Sequence, residues 1–250
     1  MVKLKLKKKY KRILVSFFII ICLTGLIYSL LNIIDWKKDI DDNKVAFEKI
    51  KENITISKED NSIKIDFKTL KKENPDTIAY LKVNGTNIDY IVVKGKDNDY
   101  YLKHNFYKKY NVAGWIFADY HNKFDETDKN MVIYGHNTKD GTMFETLINV
   151  LDKSWQDNEE NLKITLITEM GQYKYQVFST YSIVAESYYI NTEFNDDTEF
   201  FKFINTLKSR SNYDYGVLVS SDDKILTLSS CIGNGKKRVV LHAKLLDKNT

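Results

Sequence analysis

KILTLSSCIGNGKKRVVLHAKL, residues 224–245, reads as a strand, a short turn and a second strand. Thr227-Leu228-Ser229-Ser230-Cys231 ends the first apolar run, Ile232 to Lys237 form a turn around Gly233-Asn234-Gly235, and a new strand opens near Arg238. Strands joined by so short a turn are neighbours in a sheet, so Cys231 and Arg238 are expected to face each other near one sheet end. A thiol is a modest nucleophile at neutral pH and needs a base or a stabilising positive charge. Arginine is always protonated and offers several directed N–H donors, suited to an acyl group or a tetrahedral oxyanion. The pair alone does not decide for chemistry: a space-filling cysteine and a surface arginine read equally well.

Outward from this hairpin the β pattern continues. Ile78–Val83 and Ile88–Val93 flank Asn84-Gly85, a strong hairpin signal. Further strands are predicted at Trp115–Phe117, Met131–Tyr134, Leu162–Thr168 and Tyr173–Val184, with helices near Met143–Leu151 and Thr198–Leu207. A short helix over Asp66–Lys72 closes at Asn74-Pro75. Many short strands with few helices predict one mainly-β domain, a barrel or sandwich. The 250 residues, 43% of them hydrophobic, suffice for a substantial core and exclude wholesale disorder.

The first 34 residues differ from the rest. Lys3, Lys5, Lys7, Lys8, Lys9, Lys11 and Arg12 precede an uncharged run from Ile13 to Ile34. As a helix that run spans roughly 33 Å, enough to cross the hydrocarbon core of a bilayer. The flanking charge predicts a cytoplasmic N-terminus and an external body. A cleaved signal peptide is the rival reading, but its apolar region is normally shorter and no small-x-small cleavage site stands out. The expected organisation is therefore a cytoplasmic basic segment at 1–12, a membrane anchor at 13–34, a stalk and N-terminal helix at 35–60, and an external domain at 61–250. Val45, Phe47, Ile50 and Ile54 have the spacing of an amphipathic helix within that stalk.

Charge and cysteine usage narrow the function. The overall charge of +4 comes from the N-terminus; after residue 34, 31 basic residues face 34 acidic ones. A body of that balance is not built to grip nucleic acid. The two cysteines, Cys22 inside the apolar run and Cys231 in the external part, exclude a disulfide framework or an all-cysteine zinc site. No metal cluster or phosphate-binding glycine loop is visible, and no cofactor is expected. A base for Cys231 must come from His104, His121, His136 or His242. His136 leads, because it follows the strand Met131–Tyr134 and Gly135 at a strand end, a common place for a catalytic side chain. His121, in the loop after Asp119-Tyr120, is second.

Val132-Ile133-Tyr134-Gly135-His136-Asn137, Thr227-Leu228-Ser229-Ser230-Cys231 and the strand opening with Arg238 resemble a sortase. Asn74-Pro75-Asp76, Val83–Tyr90, Lys96–Leu102 and Ile116–Tyr120 make the chain similar to class B in particular. The resemblance runs from about Phe67 to the C-terminus, and the order and joint presence of the motifs make it specific. It implies an eight-stranded β-barrel with N-terminal and inserted helices, anchored outside the membrane of a Gram-positive cell. It also implies a cysteine transpeptidase that cleaves the C-terminal sorting signal of secreted proteins and joins the new carboxyl group to an amine, commonly of peptidoglycan or its precursor.

By that resemblance Cys231 is the nucleophile that forms a thioester, His136 the general acid and base, and Arg238 the group that orients the substrate and stabilises the oxyanion. Asn98 and Leu102 match the spacing of two groove residues of the class; Tyr134 and Ser229 match two more. Tyr189 and Ile190 fall in the long loop expected to form one groove wall, with barrel packing as the alternative. Ser230 stands where Thr is usual, Ile91 where Pro is frequent, Trp115 where a small residue is usual and His121 where Arg is frequent. These departures touch substrate preference more than chemistry: an Asn-Pro-x-Thr-x signal is the class expectation, with a Pro-x-Thr-Gly type as its alternative. Two other functions compete, a thiol hydrolase with water as acceptor and a non-catalytic surface-anchored binding module.

Overall fold

The computed structural model describes residues 8–57, 62–125, 127–138, 140–232 and 236–249; the side chains of Cys231, Ile232 and Asn249 lie outside that description. Outside it too are the predicted Gly233-Asn234-Gly235 turn and the basic residues before Lys8. The chain forms two compact units, Met1–Asp42 and Asn43–Thr250, with the boundary inside the long helix α1 (Lys8–Lys51). In the first unit α1 is long and apolar enough to cross a membrane, and its apolar side chains from Tyr10 to Trp36 are exposed.

The second unit opens with the end of α1, then a two-stranded sheet of β1 (Ile54–Ile56) and β2 (Ile63–Ile65). Here the helical spacing misleads. Val45 is exposed and Ile54 belongs to β1, while Asn43, Ala46 and Ile50 form the buried face. A polar residue takes a core position because Asn43 Nδ2 donates to the Gly114 carbonyl at 3.0 Å and to Asn111 Oδ1 at 3.2 Å. α2 (Phe67–Glu73) follows, capped by Asp66, whose carboxylate accepts from the Thr69 N–H at 3.0 Å. It stops at Asn74, whose extended backbone suits the residue before proline.

Eight strands then close a barrel: β3 (Thr77–Val83), β4 (Asp89–Val93), β5 (Phe117–Ala118), β6 (Asn130–Gly135), β7 (Lys163–Thr168), β8 (Gly171–Val184), β9 (Ile225–Ile232) and β10 (Lys237–Asn249). Their order around the barrel is β10-β8-β7-β3-β4-β5-β6-β9, with β9 pairing back to β10. The β3–β4 hairpin turns at Asn84-Gly85, where Gly85 has a φ of +70° that a side chain would strain. The predicted strand at Trp115–Phe117 shrinks to β5, because the Trp115 backbone N–H donates to the Tyr101 carbonyl at 3.0 Å instead of to a neighbouring strand, while its indole is buried beside Tyr90 and Phe106 and donates to the Ile91 carbonyl at 2.8 Å. The predicted helix near residue 145 is a 3-10 segment, Glu145–Leu151, followed by α3 (Lys153–Gln156).

The connection from β8 to β9 is the longest decoration of the barrel. It holds a 3-10 turn, Tyr188–Ile190, and α4 (Asp197–Ser209). Phe200, Ile204 and Leu207 follow one another at helical spacing and are buried against Phe178, Tyr181 and Val240 of the barrel wall. Tyr189 belongs to the same apolar cluster, so α4 and the 188–190 turn are seated on one core.

Candidate active site

Strand register brings the predicted residues together. Arg238 of β10 pairs with Cys231 of β9 across an antiparallel ladder. On the other side of β9, the parallel partner β6 sets Tyr134 opposite Ser229 and Gly135 opposite Ser230. His136 and Cys231 are therefore the next residues along two adjacent parallel strands. Three neighbouring strands, β6, β9 and β10, deliver His136, Cys231 and Arg238 to one end of the barrel.

Beside them lies a cleft of about 480 Å³. His136 and Arg238 line it, and so do Asn98, Leu102, Tyr134, Ser229, Tyr189 and Ile190. Phe117 and the segment Ala185–Ser187 complete its walls; sequence reasoning missed these as cleft residues, since Phe117 reads as an ordinary strand residue and nothing in the types of 185–187 distinguishes them from surface loop. The other histidines lie elsewhere. His104 stacks on Tyr100 with its Nδ1 2.7 Å from the Tyr100 carbonyl, and His242 is buried in the barrel wall. His121 borders a neighbouring cavity of about 600 Å³.

The His136 ring is fixed from one side. Its Nε2 lies 2.8 Å from the Leu102 carbonyl, which has no proton to give, so Nε2–H is the donor. In the neutral ring the lone pair then resides on Nδ1, and Nδ1 is the nitrogen able to take and return a proton. Leu102 is itself placed by Gly114. A methyl group on Gly114 would collide with the Tyr101 carbonyl, come within 2.9 Å of the Leu102 carbonyl and 3.0 Å of the His136 ring, and φ there is +59°. Gly135 is equally confined: a Cβ would sit 2.5 Å from the Phe144 ring and 2.6 Å from Ile116.

The cleft wall at 188–191 is held by a chain of buried hydrogen bonds. Tyr188 donates its hydroxyl to Tyr181 at 2.9 Å, so Tyr181 donates onward to His242 Nε2 at 3.0 Å. His242 Nδ1–H then donates to Thr227 Oγ1 at 2.9 Å, and Thr227 donates to Asn130 Oδ1 at 2.7 Å. Asn130 Nδ2 finally donates to the Asn191 carbonyl at 2.8 Å. Both ends of the relay grip the same turn. Every member has a partner only if His242 is neutral, and burial pushes its pKa down to about 3. Between these anchors the Tyr189 hydroxyl meets Ser229 Oγ at 3.0 Å, closing the wall against β9.

The cleft floor is set by a carboxylate. Asp119 lies under Asn98 and Tyr134 and is only 2% exposed. Burial alone would raise its pKa, but the His121 N–H, the Tyr134 hydroxyl, the His121 ring and the Asn98 amide together hold it below the usual range. The same burial, with the Asp119 charge beside it, pushes the Tyr134 phenol up, so its hydroxyl stays protonated.

Comparison with known proteins agrees with this architecture. The family described as "Sortase domain" matches residues 81–246. Sortase B of Listeria monocytogenes is 36% identical over 212 residues, covering 84% of this chain and 84% of that protein. The crystal structure of sortase B from Bacillus anthracis in complex with AAEK1 aligns with a TM-score of 0.74 at 32% identity, over 84% of this chain and 99% of that one. A crystal structure of a sortase B complexed with triglycine aligns with a TM-score of 0.68 at 33% identity, over 72% and 85%. Shared identity of this extent on a shared barrel makes the chain a member of the sortase family, class B, and hence a cysteine transpeptidase.

Proposed function

We propose that this sortase cleaves the C-terminal sorting signal of secreted proteins through a thioester on Cys231 and transfers the new carboxyl group to a peptidoglycan amine. The Cys231 thiol passes its proton to His136 Nδ1 as its sulfur attacks the scissile carbonyl, and Arg238 N–H donors stabilise the resulting oxyanion. His136 Nδ1 gives its proton to the departing amine, leaving the thioester and a neutral imidazole. The incoming amine attacks the thioester, passes a proton to Nδ1, and the sulfur leaves. Asn98, Leu102, Tyr134, Ser229, Tyr189 and Ile190 contact the sorting signal. The observation that carries this reading is the register of β6, β9 and β10, in which a histidine just past the end of β6, a cysteine on β9 and an arginine on β10 come together beside one cleft. The sortase B complexed with triglycine supports an amine acceptor.

The same proposal assigns 1–12 to the cytoplasm, 13–34 to the membrane, 35–60 to a stalk and helix, and 61–250 to an external catalytic domain. The apolar helix α1 supports a membrane anchor. The test is incubation of the full chain with quenched Asn-Pro-x-Thr and Pro-x-Thr-Gly peptides, with and without diaminopimelate or an oligoglycine, followed by mass spectrometry. A thioester on Cys231 and then an amine-linked product is the expected result, and Cys231→Ala is expected to abolish both. Product formed by Cys231→Ala would sink the mechanism. Transfer to water alone, whatever amine is added, would favour the hydrolase.

A further inference from the structure

We propose that Asp119 is a positioning residue of the cleft, whose buried carboxylate fixes the hydrogen-bonding polarity that Asn98 and Tyr134 present to a bound peptide. The inference rests on the cleft being the sorting-signal groove.

A carboxylate accepts hydrogen bonds and donates none. Asp119 Oδ2 receives two donors from the cleft floor, Asn98 Nδ2 at 2.8 Å and the Tyr134 hydroxyl at 2.7 Å. Its Oδ1 receives two from the loop behind, the His121 backbone N–H at 2.9 Å and the His121 ring Nδ1 at 2.8 Å. Four donors offset the desolvation of a charge that is almost wholly buried. The arrangement removes two rotational freedoms. The Tyr134 proton is committed to Asp119, so the phenol oxygen meets a ligand as an acceptor. The Asn98 amide is committed at both ends, because its Oδ1 accepts the Tyr120 N–H at 3.1 Å. Its second N–H is thereby a donor of fixed direction for a ligand, and Oδ1 keeps one lone pair. Asn98 and Tyr134 line one cleft, which therefore offers a fixed donor beside a fixed acceptor. That pair fits a carboxamide or a peptide unit, which carries a carbonyl acceptor and an N–H donor side by side.

Without the carboxylate both groups become free to turn. In Asp119→Asn the new side chain has one acceptor where four donors converge, and its own NH₂ faces two of them. The effect should fall on binding rather than on the thiol chemistry, since Asp119 borders neither Cys231 in register nor the carbonyl that holds His136.

The test compares the full chain, Asp119→Asn and Asp119→Glu, each alone and combined with Asn98→Ala plus Tyr134→Phe. The probe is a quenched Asn-Pro-x-Thr peptide, read as separate kcat and KM values. Its affinity for Cys231→Ala chains with and without Asp119→Asn is measured by fluorescence anisotropy. We expect KM and Kd to rise about tenfold for Asp119→Asn, the equivalent of one hydrogen bond, with kcat held within about threefold. Asp119→Glu keeps the charge and carries the test if the amide variant fails to fold; its KM should rise in the same direction. In the Asn98→Ala, Tyr134→Phe background neither Asp119 change should cost anything further. Full additivity there, an unchanged Kd, or a fall in kcat at constant KM would overturn the inference. A peptide that binds without being cleaved defeats the proposed function and leaves the Asp119 effect readable in Kd. A peptide that neither binds nor acylates the wild-type chain defeats both.

Discussion

Gly114 and Arg238 carry the sharpest consequences of a single residue. Replacing Gly114 by alanine sets a Cβ against the Tyr101 and Leu102 carbonyls and the His136 ring at a φ of +59°. A left-handed residue with backbone on two sides has no cheap escape, so a loss of about 1–3 kcal/mol is expected. The Leu102 carbonyl that holds His136 Nε2 must shift with it. Thermal unfolding and peptide cleavage should therefore fall together; a stable but inactive variant, or an active but unstable one, would separate these two roles of Gly114. Arg238→Lys keeps the charge and loses the planar fork. If Arg238 stabilises the oxyanion, kcat should drop by about 10²-fold with little change in stability. Unchanged kcat would assign Arg238 to the surface instead.

At the scale of elements, the β8–β9 connection depends on α4, which holds the cleft wall through a shared core. Asp196 caps that helix, its carboxylate accepting from the Glu199 N–H at 2.8 Å. Asp196→Ala should cost about 1 kcal/mol, the usual value of such a cap, without changing KM, because the wall is also tied through Tyr181, His242 and Asn130. Chemical denaturation measures the first part and initial rates the second. A KM that rises with Asp196→Ala would show the helix, rather than the buried relay, to be what holds the wall.

For the whole molecule the relay makes an acid limit. His242 has a folded pKa near 3 against about 6.5 when unfolded. The unfolded chain binds the extra proton between those values. Stability from this group is thus complete above about pH 6.5 and declines as pH falls toward 3, by up to about 1.4 kcal/mol per pH unit. Urea midpoints between pH 7 and 4 should show that slope. A His242→Gln variant, which keeps an acceptor and a donor, should flatten it. An unaltered slope in the variant would place the acid sensitivity in other groups.

How much of this was legible beforehand varies with the range of the interaction. The strands, the Asn84-Gly85 hairpin, the short helix closing at Asn74-Pro75, the long apolar helix and the Cys231–Arg238 pairing follow from local chemistry: alternation, turn residues, apolar length and a short connection. The catalytic candidates and the class were readable because their motifs are contiguous in the chain. Closure of the barrel was not local, since β6 lies parallel beside β9 although β7, β8 and α4 intervene in the chain. Neither was the cleft floor. Asp119 sits in an ordinary loop, and only the fold sets Asn98 and Tyr134 against it. Asn43 and His242, polar residues in apolar places, gave no sign of burial because their partners are distant in sequence. Local propensity and spacing are properties of a segment, and the sequence determined those. Which polar atoms find partners out of water depends on what the closed barrel brings within hydrogen-bonding reach, and only the tertiary structure decided that.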